Sequence, residues 1–229
     1  AFAGEVNDIL AECGFPLCIG GIMARNPLWC LTLREWRERF DDWMRNASPK
    51  ALLNAAIFFD LRALYGDEEL AAQLQEFLVA NVPKRPAFLR QMAVNALEVR
   101  PPAGFFGDLP LGQEGSLDLK LHASRPMVDC ARILALAAGI TVTSTTERLR
   151  VAGPAMRMSH DEVGASVGAF HFVQMLRLRR QEEARAMGEA RDLNRVDPDT
   201  LNSLDRRILK EALRQARKLQ NRVALEYQL

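Results

Sequence analysis

A chain of 229 residues, 48% apolar and 26% charged, has the length and composition to bury a core, which excludes wholesale disorder. Lys and Arg number 30 against 29 Asp and Glu, so the net charge of +1 gives no reason to expect a polyanionic partner or an anionic membrane surface. The most apolar run, Val163 to Leu178, is shorter than the roughly 20 residues of a bilayer span and carries His171 and Gln174, so no transmembrane segment is expected. Four unevenly spaced cysteines without an apolar signal segment ahead of them point to a reducing, cytoplasmic setting. The chain opens at Ala1, inside an amphipathic pattern and without an initiator Met, and is read as a piece of a longer protein.

Phe2, Val6, Ile9, Leu10 and Cys13 have helical spacing, and Gly14 suits a left-handed C-terminal position, so a first helix ends there. Pro16 and Gly20-Gly21 exclude helix from the stretch that follows. Thr32-Leu33-Arg34-Glu35 is a capping box for a helix to about Arg45. Trp29, Trp36 and Trp43 are spaced by seven, and the last two share a buried stripe with Leu33 and Phe40. Ser48-Pro49 starts a third helix, expected to run to about Tyr65 and stop at Gly66. Asp67, Glu68 and Glu69 place negative charge at the start of a fourth, which is cut at Pro83. Pro86 begins a fifth, through Val99.

The Gly- and Pro-rich segment from Pro102 to Ser116 is expected to be a long irregular loop, of the kind that is usually functional or mobile. Leu117-Asp118-Leu119-Lys120-Leu121 alternates, which suits an extended piece or the start of a short helix. Pro126 opens a sixth helix ending at Gly139, and Ser144-Thr145-Thr146-Glu147 caps a short one that Gly153-Pro154 terminates. Ser159-His160-Asp161-Glu162 is a further capping box, opening a helix to about Gly188 that is apolar nearly all round and therefore read as the buried centre of a bundle. Gly164 and Gly168 would let another helix cross it closely. From Ser203 a last helix carries Ile208, Ala212, Ala216, Leu219, Val223 and Tyr227 inside. Its other face bears Arg206, Arg207, Lys210, Arg214, Arg217, Lys218 and Arg222. There is no internal repeat and at most a scrap of sheet, assigned to the N-terminal segment, so the fold class is an all-α helical bundle.

Opposite charges pair at short spacing in Asp60-Leu61-Arg62, Asp118-Leu119-Lys120 and Asp129-Cys130-Ala131-Arg132. Such residues grip anions and orient hydroxyls when they converge on a cleft, and otherwise form structural ion pairs. Asp129 and Arg132, three apart, face each other on a helix and are expected to bind one another. Asp60 follows the apolar run Ala55 to Phe59, so it is partly buried and needs a partner; structural and functional readings both stand open there. The basic face of the last helix is interrupted by Glu211 and Glu226 and has no aromatic residue to stack bases, so it is read as solvated, not as a nucleic-acid site. His122, His160 and His171 lack metal-ligand spacing, His171 is expected to be a hydrogen-bonded core residue, and Cys18 is a reactive thiol or a buried hydrophobe. No nucleophile elbow, phosphate loop or dinucleotide glycine motif is present.

Taken together, Cys18 to Trp29, Phe58-Phe59-Asp60-Leu61-Arg62 with Gly66, Leu117 to Leu121, Asp129 and Arg132 before Ala135-Leu136, and Thr145-Thr146-Glu147-Arg148-Leu149 resemble one family. It is the nucleotidyltransferases similar to the protein-PII uridylyltransferase, found in bacterial signal-transduction proteins beside cyclic-nucleotide-binding and CBS domains. The resemblance covers nearly the whole chain. It implies that residues 1–47 are the C-terminal end of an α/β nucleotidyltransferase domain and 48–229 a helical substrate-binding domain. It also implies an activity, in the longer parent, that moves a nucleotidyl group from a nucleoside triphosphate to a protein or small-molecule acceptor.

That chemistry uses a Gly-Ser turn and an Asp-x-Asp pair holding two Mg²⁺ ions. Asp41-Asp42 is adjacent and helical, and Asp197-Pro198-Asp199 lies near the far end, so the catalytic carboxylates are expected upstream of Ala1 and the chain alone is expected to be inactive, with no cofactor of its own. Arg25 and Asn26, placed at the domain junction, together with Asp60, Arg62, Lys120, Asp129 and Arg132, are the expected polar cleft for acceptor or triphosphate. The rival expectation is a non-catalytic interaction module, such as a homodimerisation platform.

Overall fold

The structure is a computed structural model and describes residues 2–102, 116–188 and 193–229. It is predominantly helical, an all-α bundle whose one sheet among the described residues has two short strands. Most of the expected loop from Pro102 to Ser116 lies outside the described residues.

Helix α1 (Phe2–Glu12) ends at Gly14, whose φ of +93° is the left-handed turn expected of glycine there. Helix α2 (Leu33–Arg45) begins at the Thr32 and Glu35 capping box, and α3 (Pro49–Phe58) at the Ser48 cap. Then come α4 (Glu68–Asn81), α5 (Pro86–Leu97), strand β1 (Leu117–Asp118), one π-helical turn (Lys120–Ser124) and α6 (Arg125–Ala137). Helix α7 (Thr145–Ala155), the long α8 (His160–Ala186), strand β2 (Arg195–Val196) and α9 (Ser203–Glu226) complete the order.

The core is centred on α6, whose buried residues run almost without a break from Met127 to Leu136, with α5, α7, α8 and α9 packed around it. An aromatic cluster extends this core toward the N-terminal third. Trp29 stacks on Trp36 with ring centroids 6.2 Å apart, Trp36 meets Trp43 edge-on at 6.4 Å, and Phe40, Phe58 and Phe59 fill the space between. Offset and edge-to-face geometries of this kind add to the area that such rings bury.

Several elements differ from the sequence expectation. The scrap of sheet is not N-terminal: β1 pairs antiparallel with β2, Leu117 opposite Val196. The segment from Leu117 to Leu121 therefore realises both of its expected forms, a two-residue strand that runs into a helical turn. Helix α3 ends at Phe58, well short of Tyr65. Helix α7 runs through Gly153 and Pro154 to Ala155, so the pair lies inside its last turn and does not end it. Ser144 stands at its N-terminus without the expected side-chain cap; its hydroxyl meets Thr146 Oγ1 at 3.2 Å.

Helix α8 opens at the expected Ser159 and Glu162 capping box but is not apolar all round. Its buried side holds Val163, Ser166, Val167, Val173 and Leu176, while Gly164, Gly168, His171 and Leu178 are exposed. Among the described residues no helix crosses at Gly164 or Gly168, where an added Cβ would meet nothing within 4 Å. The close crossing lies at Gly153 of α7, where a Cβ would stand 2.6 Å from Val163 Cγ2 of α8. His171 is thus a surface residue and not a core one. The last helix is capped by Asn202, one residue before Ser203, and turns Leu209 inward while Ile208 is exposed.

Candidate functional site

The segment after α3 is shaped from both sides. Phe58 and Phe59 are held by the aromatic cluster, Phe59 against Phe40 at 5.1 Å and Phe88 at 5.9 Å. Gln75 Nε2 of α4 donates to the Leu61 carbonyl at 3.0 Å, which takes that carbonyl out of any continuing helix. Asp60, between these anchors, turns toward α6 and α7.

There it meets two buried arginines. Arg132 of α6 donates through Nη2 to Asp60 Oδ2 at 2.8 Å and through Nε at 3.2 Å; Arg148 of α7 donates through Nη2 to Oδ1 at 2.5 Å. The Arg148 Nε also donates to the Val142 carbonyl at 2.7 Å. On its far side Arg132 Nη1 donates to Asp129 Oδ1 at 2.8 Å, and Arg125 Nε reaches Asp129 Oδ2 at 3.4 Å. The Arg132 and Arg148 side chains are 9% and 3% exposed, so these are ion pairs in a low-dielectric setting where each partner is needed by the other.

Burial by itself pushes the Asp60 carboxyl up, but the hydrogen bonds from Arg132 and Arg148 and the charges of both outweigh it and hold the carboxyl below its ordinary value of 3.8. Burial likewise works against the Arg132 charge, and Asp60 and Asp129 more than restore it. Asp129 and Arg132 do bind one another, as their spacing predicts. Next to them Cys130 is fully buried, and burial pushes its thiol far up.

Of the seven residues expected to converge, the structure brings together Asp60, Asp129 and Arg132. Arg25 pairs instead with Asp8 of α1 at 2.8 Å, and its amide donates to Asn7 Oδ1 at 3.0 Å. Asn26 caps the 3₁₀ turn Pro27–Trp29 by accepting from the Leu28 amide at 3.1 Å and donates to the Gly21 carbonyl at 3.0 Å. Both residues therefore fold the N-terminal loop onto itself and onto α1. Arg62 and Lys120 are exposed, without a partner among the described residues. Asp118 accepts from the Leu121 amide at 2.9 Å and so opens the π-helical turn. Cys18 is an exposed free thiol.

Arg148 is the member of the cluster that pairing by spacing missed. Its signal was a charged residue in register with Leu149 and Ala152 on the face of α7 that packs inward. The cluster is internally satisfied: both oxygens of Asp60 and both of Asp129 already accept from guanidinium groups. Mg²⁺ requires oxygen lone pairs, and here it would meet N–H donors, so these residues do not fit a divalent cation. Among the described residues no group of three or more His, Cys, Asp and Glu is arranged to hold a metal ion, and no helix is long and apolar enough to cross a membrane.

The basic face of α9 is also divided among protein partners. Arg206 binds Asp199 at 3.1 Å, Arg214 pairs with Glu211, and Arg222 binds Glu162 at 3.1 Å. Cavities of about 700, 640 and 360 Å³ lie elsewhere, and none of the seven expected residues lines any of them.

Compared with known families, residues 86–227 match the model described as putative nucleotidyltransferase substrate binding domain, and residues 1–50 match a second one, putative nucleotidyltransferase. No curated protein and no solved structure matches the chain.

Proposed function

We propose, from the premise that this chain belongs to the family of putative nucleotidyltransferase substrate binding domains, that it presents a substrate to a nucleotidyl-transfer centre. The observation that carries this reading is the order of the two family matches, transferase over residues 1–50 and substrate binding over 86–227, along one continuous chain. The transfer would run from a nucleoside triphosphate to a protein or small-molecule acceptor, as the likeness to protein-PII uridylyltransferases suggests. The triphosphate and its Mg²⁺ ions would be held by transferase residues outside the Asp60 cluster, since that cluster has no lone pairs to offer.

In this reading the boundary near residue 47 separates the end of the transferase from the helical domain. The Asp60, Asp129, Arg132 and Arg148 cluster fixes the shape of the helical domain, while Arg62 and Lys120 remain available to an anionic substrate. Cyclic-nucleotide-binding and CBS domains would regulate the parent, a bacterial cytoplasmic signalling protein. Incubating the purified chain with Mg²⁺, labelled UTP or ATP and candidate acceptors tests the assignment: label should stay on the nucleotide with this chain and move to acceptor with the parent protein. Transfer by the chain alone overturns it.

One observation favours a second reading, a non-catalytic interaction or homodimerisation module. Helix α1 buries none of its residues, and Phe2, Val6, Ile9 and Leu10 leave an apolar stripe in solvent. Light scattering of the chain distinguishes them, because a stable dimer that separates on Ile9→Glu substitution supports the module.

A further inference from the structure

The end of α7, the first turns of α8 and the C-terminal half of α9 border an open cavity of about 700 Å³, inside the span of small-molecule sites, roughly 300–1,000 Å³. Two of its lining residues are polar and almost wholly buried, Ser166 of α8 at 2% and Gln215 of α9 at 7% exposure. The Ser166 hydroxyl makes no hydrogen bond with the described residues. Gln215 Nε2 donates to Glu211 Oε1 at 2.6 Å, which leaves the Gln215 carbonyl oxygen without a donor among them. Both side chains sit on the inward faces of their helices, in stripes made otherwise of Val163 and Val167 or Ala212 and Leu219. Neither polar atom is sealed from the cavity, so each is open to a hydrogen-bonding group that enters it.

The cavity's charges are unevenly matched. Arg222 is occupied by the Met156 carbonyl at 2.7 Å and by Glu162 at 3.1 Å. Arg157 and Lys218, both exposed, have no ion-pair partner among the described residues, and Glu226 is the remaining acid. Two uncommitted cations against one acid suit a dianion better than a carboxylate or an amine.

We propose that this cavity binds a small organic phosphate whose body carries hydroxyl or amino groups. The phosphate lies between Arg157 and Lys218, while a hydroxyl or amino group of the body donates to the Gln215 carbonyl and shares a hydrogen bond with Ser166. Binding rests on the cavity alone and needs no nucleotidyl transfer, so the proposal and the transferase reading fail separately.

Isothermal titration calorimetry of the 229-residue chain tests it, with glucose 6-phosphate and AMP as probes and with glucose and inorganic phosphate as their stripped counterparts. At least one probe should bind with Kd below about 1 mM, and its counterparts at least tenfold more weakly. Lys218→Ala should weaken that probe about tenfold and Ser166→Ala about fivefold, with unchanged melting temperatures, whereas Gly164→Ala on the exposed face of α8 should leave it unaltered. The proposal is overturned if neither probe binds below about 10 mM, if inorganic phosphate binds as tightly as both, or if the Lys218 and Ser166 variants bind like the unmodified chain.

Discussion

The Asp60 cluster and the cavity between α7, α8 and α9 are assembled from the same materials, arginines, acids and buried polar groups on inward helix faces, yet they are finished differently. Around Asp60 every carboxylate oxygen has a guanidinium donor, and the two arginines deepest in the fold are held by acids from other turns of the chain. In the cavity a hydroxyl and an amide carbonyl of nearly buried residues face open space without a donor from the described residues, and two cations nearby have no partner among them. Where every donor and acceptor is matched the assembly acts as a tie between elements, and where unmatched groups face open space it leaves a place for a ligand.

The largest effect should come from breaking the tie. Arg132→Ala leaves Asp60 and Asp129 partly buried without their shared donor, and urea denaturation should record a loss of about 3–5 kcal/mol. A loss below about 1 kcal/mol would demote the cluster to a surface network. Filled and open surroundings can also be compared at glycine. Gly153→Ala drives a methyl against Val163 and should cost about 1–3 kcal/mol by thermal melting. Gly164→Ala, on open surface within a helix, should stabilise the protein by about 0.5–1 kcal/mol in the same assay. The smallest change is expected at the cavity, where Ser166→Ala removes a hydroxyl with no partner among the described residues and should change the unfolding free energy in urea by less than about 0.5 kcal/mol.

Local chemistry made the caps and most helix starts legible. Thr32 with Glu35 and Ser159 with Glu162 close as capping boxes because both partners lie within one turn. Contacts made across the fold were not legible in the same way. Helix α3 runs short of its expected end because Phe59 is fixed by rings from α2 and α5 and Asp60 by arginines from α6 and α7, all distant in sequence. Helix α8 looked apolar all round because Met175 and Leu178 counted toward the core, although both stand exposed on its outer face. Spacing recognised Asp129 with Arg132, three apart, but two residues 72 and 88 positions from Asp60 are joined to it by topology that no periodicity encodes. Ser166 and Gln215 left a faint trace, as polar letters within apolar stripes.

The ionised Asp60 carboxylate, bound between two buried guanidinium groups, is what holds the turn after α3 against α6 and α7. Its native pKa lies below the ordinary 3.8, so its contribution is fully present above that value and is lost as pH falls through the lower native one. The decisive measurement is the unfolding free energy of the unmodified chain and of Asp60→Asn, followed from pH 7 to pH 3. The gap between the two should be several kcal/mol at neutral pH and should narrow below about pH 4, where the unfolded chain takes up a proton that the native carboxylate does not. Two superimposable curves, or a gap that stays constant across the range, would contradict this account.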